Sequence, residues 1–338
     1  MTNKTDQACF DTFREVEHCP GCGASNARGV GLPGPSWDNV TAGRVFRHPE
    51  YEVKHCDACG LYFKTRVFDD AALGEYYSVL PFESFESNRL FPTDRLMLAT
   101  VASAAPGAKV LDFGCGVGRL LQRFVSRHSC FGVEVNERAC EVARAAGITI
   151  LPEADIRSGA ERDFDFVILS DVFEHLPNPL EFLRPLAAVL KPGGALIIST
   201  GNGDAVRCRE YLSLFWYFRV PGHLQMLSPK HLNWCAGELG LELADCQVTS
   251  HYDTPWRTRV RQHLQTFAFE QFHLRPHAAL TRVLRWLPGL CRAEHWQSEY
   301  FDRIRSQKRV DAFVQRHEHR RVARFQKRNR WFGVESRW

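Results

Sequence analysis

Across the middle of the chain, short apolar runs alternate with segments whose apolar positions recur every three or four residues. Residues Lys109–Phe113, Phe131–Asn136, Ile148–Leu151, Asp163–Ser170 and Ala195–Thr200 read as strands. After the first run, Leu120, Leu121, Phe124 and Val125 fall on one helical face; after the second, Ala139, Val142, Ala143 and Ala146 do the same, and Gly147 ends that helix. Leu180, Leu183, Ala187 and Leu190 give a third helical face, ended by Lys191-Pro-Gly-Gly194. Such alternation predicts a parallel sheet with helices on both faces. The near-continuous apolar character of Asp163–Ser170 fits a strand covered on both sides. Leu241–Val248 supplies a sixth strand, and the pattern places no seventh.

Glycines and acids punctuate this pattern where the strands end. Gly114, Gly116 and Gly118 lie on the first strand-to-helix turn, directly after Asp112. Glycine permits positive φ there and lets a ligand approach the backbone closely. Glu134 ends the second strand, where a carboxylate can accept from both hydroxyls of a ribose. The spacing is GxGxG rather than the GxGxxG of dinucleotide enzymes.

The N-terminal stretch follows a different rule. Cys19-Pro-Gly-Cys22-Gly and Cys56-Asp-Ala-Cys59-Gly are two tight pairs, each followed by glycine. Two such turns offer four thiolates, which closes a tetrahedral zinc site of structural type. The interval from Cys22 to Cys56 exceeds the usual spacing of about 15–20 residues, with a Gly/Pro-rich excursion at 29–36. His18 and His55 stand beside the pairs as alternative ligands, and a redox pair is the competing chemistry. The 12 cysteines of a 338-residue chain are otherwise scattered, which fits a reducing cytoplasm rather than a secreted disulfide scaffold. The N-terminal residues lack a basic region followed by an apolar one, so no secretory leader is expected.

The net charge of +4 is mild, but basic residues crowd the last stretch. Arg324 to Phe332 interleaves basic and aromatic side chains, a composition able to grip RNA phosphates or an anionic membrane, or to serve as a solvated appendage or dimer contact. Leu280, Val283, Leu284 and Leu287 with Arg282 and Arg285 read as an amphipathic helix.

Taken in order, the glycine loop, Glu134, the Asp165-to-Pro179 block (Phe-Asp-Phe-Val … Glu174-His175-Leu-Pro-Asn-Pro) and Leu190-Lys-Pro-Gly-Gly-Ala-Leu-Ile-Ile198 resemble the class I S-adenosylmethionine-dependent methyltransferases. The cysteine pairs followed by Leu61-Tyr62-Phe63 resemble the zinc ribbon preceding the catalytic domain in some bacterial members. The resemblance implies a Rossmann-like α/β sheet with helices on both faces, an N-terminal zinc ribbon and a helical C-terminal extension. The expected divisions are 1–66 for the ribbon, 67–105 for a helical connector or lid, 106–250 for the cofactor-binding domain and 251–338 for the basic extension.

It further implies that Asp112, Gly114, Gly116, Gly118, Glu134, Asp155, Ile156 and Ser170 hold S-adenosylmethionine, with Asp155 accepting from the adenine amino group and Ile156 packing on its ring. The cofactor carries its own leaving group, so the protein aligns an acceptor and, for a hydroxyl or acidic carbon, removes a proton. His223 and His175 are the candidate bases; each has a purely structural alternative as a local hydrogen-bonding residue. Glu174 more readily braces the loop. The aromatic run 211–218 reads as a lid or acceptor wall, or else as a core helix, and Phe82, Phe85 and Phe91 are placed to cover the cofactor from the other side. The expected acceptor is a small molecule such as a sugar; RNA is the runner-up, and a non-catalytic scaffold the third reading. Ser170-Asp-Val-Phe departs from the Asn/Asp-Pro-Pro-Tyr type that methylates nucleobase nitrogen, which weighs against RNA.

Overall fold

A computed structural model describes residues 9–80 except 32 and 35, together with 90–204, 212–213, 216–250, 253, 255–257, 279–284 and 319–327. Residues 1–251 and 319–338 group as one compact unit and residues 252–318 as a second. In the second unit, the described regular element is one helix, Ala279–Leu284; Arg285 and Leu287 of the expected amphipathic helix lie outside the described residues.

The first unit opens with eight short strands: β1 (Cys9–Phe10), β2 (Phe13–Glu15), β3 (Ala27–Gly29), β4 (Trp37–Thr41), β5 (Arg44–His48), β6 (Val53–Cys56), β7 (Tyr62–Lys64) and β8 (Arg66–Phe68). The long interval between the cysteine pairs is therefore not only a loop. It holds β3 and the β4–β5 hairpin, whose two turn residues, Ala42 and Gly43, both adopt positive φ (50° and 77°). That geometry matches the twist of the flanking strands.

Two helices follow. Helix α1 (Asp70–Val79) is capped by Asp69, which accepts from the Ala72 N–H at 2.8 Å. Helix α2 (Pro92–Ala102) begins with proline, and Asp94 accepts from the Phe91 N–H at 2.8 Å.

The remaining elements are β9 (Lys109–Phe113), β10 (Ser129–Val133), α3 (Glu137–Ala145), β11 (Thr149–Ile150), α4 (Glu153–Ser158), β12 (Phe164–Ser170), α5 (Pro179–Ala188), β13 (Leu190–Gly201), α6 (Trp216–Arg219), β14 (Gln225–Met226), α7 (Pro229–Glu238), β15 (Leu241–Ser250) and β16 (His319–Lys327). The sheet order is β11-β10-β9-β12-β13-β16-β15. Its first five strands are parallel, and β16 runs antiparallel to both β13 and β15. The seventh strand is thus the basic run near the C-terminus. The expectation of a wholly helical extension is corrected there: residues 319–327 are strand, paired along both edges, and 328–338 lie outside the described residues.

The period-2 pattern holds in the core. Leu111, Val167, Leu169, Leu196 and Ile198 bury on one face; Val110, Ile168 and Ile197 bury on the other, against Met97 and Val101 of α2. Cys19, Cys56, Cys59, Leu61 and Phe63 belong to the first of these clusters, so the N-terminal module shares a core with the sheet.

Three helical expectations change. The segment after the glycine loop buries Leu120, Leu121 and Phe124 as expected, but Val125 is exposed and regular helix is limited to a 3₁₀ turn at Leu121–Arg123. Its hydrogen bonds mix spans of three and four residues (Phe124 to Leu121, Gln122 to Gly118), which breaks a uniform helix. In α3 the buried face is Ala139, Cys140 and Ala143, while Val142 points outward. Leu190 and Lys191-Pro-Gly-Gly194 lie inside β13 rather than ending α5. No helix among the described residues is long and apolar enough to cross a membrane.

Candidate active site

Because β9 to β13 are parallel, their carboxyl ends share one edge of the sheet, where open α/β sheets bind ligands. Gly114, Gly116 and Gly118 adopt φ of 78°, 54° and 78° at the end of β9. The Gly116 N–H donates to Glu134 Oε2 at 2.9 Å, while Val135 and Asn136 donate to Glu134 Oε1 at 2.8 and 2.9 Å. Glu134 therefore joins the glycine loop to the end of β10. Asn136 caps α3 by accepting from Ala139 at 3.1 Å.

Asp112 lies beneath the loop, 2% exposed, and its Oδ1 has no hydrogen-bond partner. Burial pushes its carboxyl up to about 7, with the Arg119 guanidinium pulling the other way. Arg119 is itself paired to buried Asp94 and stacked over Phe91 at 5.6 Å. An unpartnered buried carboxylate oxygen below a loop of left-handed glycines fits a ligand carrying an ammonium group, as S-adenosylmethionine does.

Asp155 sits in α4 and Ser170 at the end of β12, both partly exposed on the same edge. Ile156 does not behave as expected. It is wholly buried in the main core with Leu111, Val133 and Leu183, so it has no exposed face for an adenine ring. Phe82 and Phe85 lie outside the described residues, as does Tyr211.

A second group of polar side chains gathers beside this edge. Glu174, His175 and His223 bring their ligating atoms within 4.8 Å of one another, a grouping that could hold a cation. Glu174 is wholly buried and accepts from Thr200 Oγ1 at 2.8 Å. His175 ends a 3₁₀ turn at Phe173–His175, and its Nδ1 lies 3.0 Å from the Gly222 carbonyl and 2.9 Å from Tyr77 Oη. A carbonyl only accepts, so Nδ1 carries the proton and Nε2 the lone pair. The His223 ring lies 4.8 Å from that of His175 and 4.2 Å from that of Tyr217. Burial lowers the affinity of both histidines for a proton, most strongly at His223, while the Glu174 charge opposes this at His175. Tyr217 Oη accepts from the Gly201 N–H at 2.8 Å and lies 3.0 Å from Thr200 Oγ1.

The aromatic run resolves into its buried end: Tyr217 and Phe218 are wholly buried in and beside α6. Tyr77, Thr200 and Tyr217 join the histidine group without having been singled out as polar partners. Only the position of Thr200 at the end of the fifth strand pointed that way.

The cysteine pairs meet as expected. Cys19 Sγ lies 3.5 Å from Cys59 Sγ and Cys22 Sγ 3.6 Å from Cys56 Sγ, with all four sulfurs within 4.8 Å of one another. Zinc–sulfur bonds of about 2.3 Å in a tetrahedron require sulfurs about 3.8 Å apart. The Cys59 N–H points at Cys56 Sγ at 3.5 Å, a contact that favours thiolate. His55 instead packs its ring 4.5 Å from that of Tyr62, tilted by 50°, outside the sulfur group. Gly60, at φ 83°, would be strained as any other residue: a Cβ there would stand 2.7 Å from Lys230 Cβ and 2.8 Å from Ser228 Oγ. Ser228 caps α7 and donates to the Gly60 carbonyl at 2.6 Å, which seats the second cysteine turn on the catalytic unit.

With this geometry in view, the comparisons agree on a class. A family model described as a methyltransferase domain matches residues 86–245. A ubiquinone biosynthesis O-methyltransferase of Xanthomonas campestris pv. campestris is 31% identical over 183 residues, covering 49% of this chain and 75% of that protein. Its counterpart in Xanthomonas euvesicatoria pv. vesicatoria is 30% identical over the same spans. Among solved structures, a methyltransferase from Geobacter sulfurreducens in complex with S-adenosyl-L-homocysteine is 16% identical, with a TM-score of 0.42, covering 73% of this chain and 96% of that one. The chain belongs to the class I S-adenosylmethionine-dependent methyltransferases. Its cofactor is S-adenosylmethionine.

Proposed function

We propose that the enzyme methylates a hydroxyl group of a small-molecule acceptor, with the His175–His223 pair removing the proton. The observation that carries this is the fixed tautomer of His175. Its Nδ1–H is committed to the Gly222 carbonyl at 3.0 Å, which leaves Nε2 basic beside His223. Burial keeps both rings neutral near pH 7, the state able to accept a proton, and the Glu174 carboxylate then stabilises the imidazolium that forms. The names of the O-methyltransferases this chain resembles support oxygen as the target atom.

S-adenosylmethionine, when bound, supplies the methyl group on a sulfonium. Asp112, Gly114, Gly116, Gly118, Glu134, Asp155 and Ser170 are the residues we assign to holding it. Cys19, Cys22, Cys56 and Cys59 are assigned to one structural zinc ion, on the sulfur spacing given above.

The test is turnover of purified enzyme on catechols, hydroxybenzoates and nucleotide-linked sugars, read as S-adenosylhomocysteine release. Methylation of one such hydroxyl is expected. His223→Asn and His175→Gln should each lower kcat by roughly 10²–10⁴-fold at unchanged S-adenosylhomocysteine affinity. Full activity in both variants would remove the pair from the chemistry.

A further inference from the structure

We infer that Tyr51 and Lys64, both on the N-terminal module, are positioning residues that hold the His223-bearing segment against His175. The inference rests on the reading of those histidines given above, and three sets of contacts carry it.

The first is Tyr51, which is 3% exposed. Its Oη donates to the Ser213 carbonyl and lies 3.3 Å from the Phe218 carbonyl. These two carbonyls flank Tyr217, whose ring lies 4.2 Å from that of His223, so the single O–H holds the chain beside that ring.

The second is Lys64, at the end of β7 and 1% exposed. Its Nζ lies 3.2 Å from the Val220 carbonyl and 3.2 Å from His48 Nε2. The Val220 carbonyl also accepts from the His223 N–H at 3.1 Å, so a single oxygen joins the lysine to the histidine backbone. His48 is itself fixed. Its Nδ1 lies 3.0 Å from the Pro49 carbonyl, which makes Nδ1 the donor and Nε2 the acceptor, and Trp37 stacks on the ring at 3.8 Å.

The third is backbone. The Lys64 N–H donates to the Leu224 carbonyl at 3.0 Å, and β14 adds to the module's sheet antiparallel to β7, pairing Gln225 with Phe63 and Met226 with Tyr62. The Gln225 side chain then donates to the carbonyls of Phe173 and Leu176, at 3.0 and 2.8 Å, the two residues that bracket Glu174 and His175. Hydrogen bonds thus run from the module to the backbone on either side of His175 and to that of His223.

The identity of Lys64 supports a purpose beyond filling space. Its two hydrogen-bond partners are neutral, as is the Tyr51 ring 5.0 Å from Nζ, and an apolar side chain of similar volume would occupy the site without burying an amine. Burial drives the amine toward its neutral form, whose two N–H groups match the two acceptors present. The cofactor edge has no such dependence: its Gly116–Glu134–Asn136 bonds close within β9, β10 and their turns.

Hydrogen exchange on the whole chain as purified tests the inference, with Tyr51→Phe and Lys64→Met as variants. In both, amides of residues 216–226 should exchange at least tenfold faster. Those of 109–136, and S-adenosylhomocysteine affinity, should stay within twofold. Imidazole NMR signals of His175 and His223 should move in Tyr51→Phe as well as in Lys64→Met. Tyr51→Phe keeps the ring and carries the test if Lys64→Met does not fold. Unchanged exchange at 216–226 overturns the inference, and so does equal acceleration in both segments. Since no acceptor is used, failure of His223 as a base would leave this result standing on its own.

Discussion

The two halves of the site are built in opposite ways. The cofactor half is local: the glycine loop, Glu134 and the α3 cap lie within one βαβ stretch and bond mostly to one another. The acceptor half is assembled from afar. His175 meets Gly222, Thr200 meets Glu174, and Tyr51 meets the residues around Tyr217. Local construction makes the first half robust to events elsewhere in the chain. The second half inherits the stability of every element that reaches it, including the cysteine module.

Metal removal should separate the halves most strongly. Cys19, Cys56 and Cys59 sit in the main core, so Cys56→Ser is expected to lose one zinc per chain and roughly 4 kcal/mol or more of stability. Elemental analysis and thermal unfolding read this; equal metal content in the two proteins would remove the zinc assignment.

The next effect belongs to the cofactor half. Asp112 titrates near 7 when folded, against about 3.9 in an unfolded chain. The folded state therefore holds this proton more tightly. Its stabilising contribution is complete below about pH 4 and is lost as pH rises through 7, on the order of 4 kcal/mol. Urea unfolding of the cofactor-free protein at pH 4 and 8 should show that loss, and Asp112→Asn should flatten it. Parallel curves for the two proteins would mean Asp112 is ionised in the fold.

Smaller effects sharpen the contrast. Gly60→Ala places a Cβ against Lys230 and Ser228 at positive φ, for a cost of about 2 kcal/mol, and should loosen the acceptor half while S-adenosylhomocysteine binding holds. Glu134→Ala should do the reverse, weakening that binding at least tenfold, about 1.4 kcal/mol, with the His175 and His223 NMR signals unmoved. If calorimetry finds tight binding in Glu134→Ala, the carboxylate serves only to close the glycine loop.

The same division governs what could be read in the sequence. Glu134, the glycines and the cysteine pairs were legible because their chemistry is written in short spacings, and a strand followed by a turn keeps such residues together. The five parallel strands were legible from apolar runs that two covered faces demand. The helix after Gly118 was over-read, since an apolar face is compatible with a 3₁₀ turn as well as an α-helix. Ile156 was assigned to a ring by its neighbour Asp155, but its own apolar character sends it to the core. Lys64 and Tyr51 were invisible, because nothing near them in sequence announces partners at 218–220. The seventh strand was hidden by its composition: basic residues in 319–327 suggested a solvated face, whereas their backbone completes a sheet.

That strand has a bearing on how the molecule is made. β16 fills the gap between β13 and β15, and the chain passes through residues 251–318 before returning to it. Closing so distant a contact is entropically slow, and synthesis delivers this strand after every other member of the sheet. Until it docks, the edge of β13 from Ala195 to Gly201 is an unpaired ladder of seven residues, all buried in the finished fold. Such an edge recruits other strands. The interval between the emergence of β13 and the arrival of β16 is therefore the time when a nascent chain most needs a chaperone, and any chain cut short of residue 319 would carry that open edge permanently.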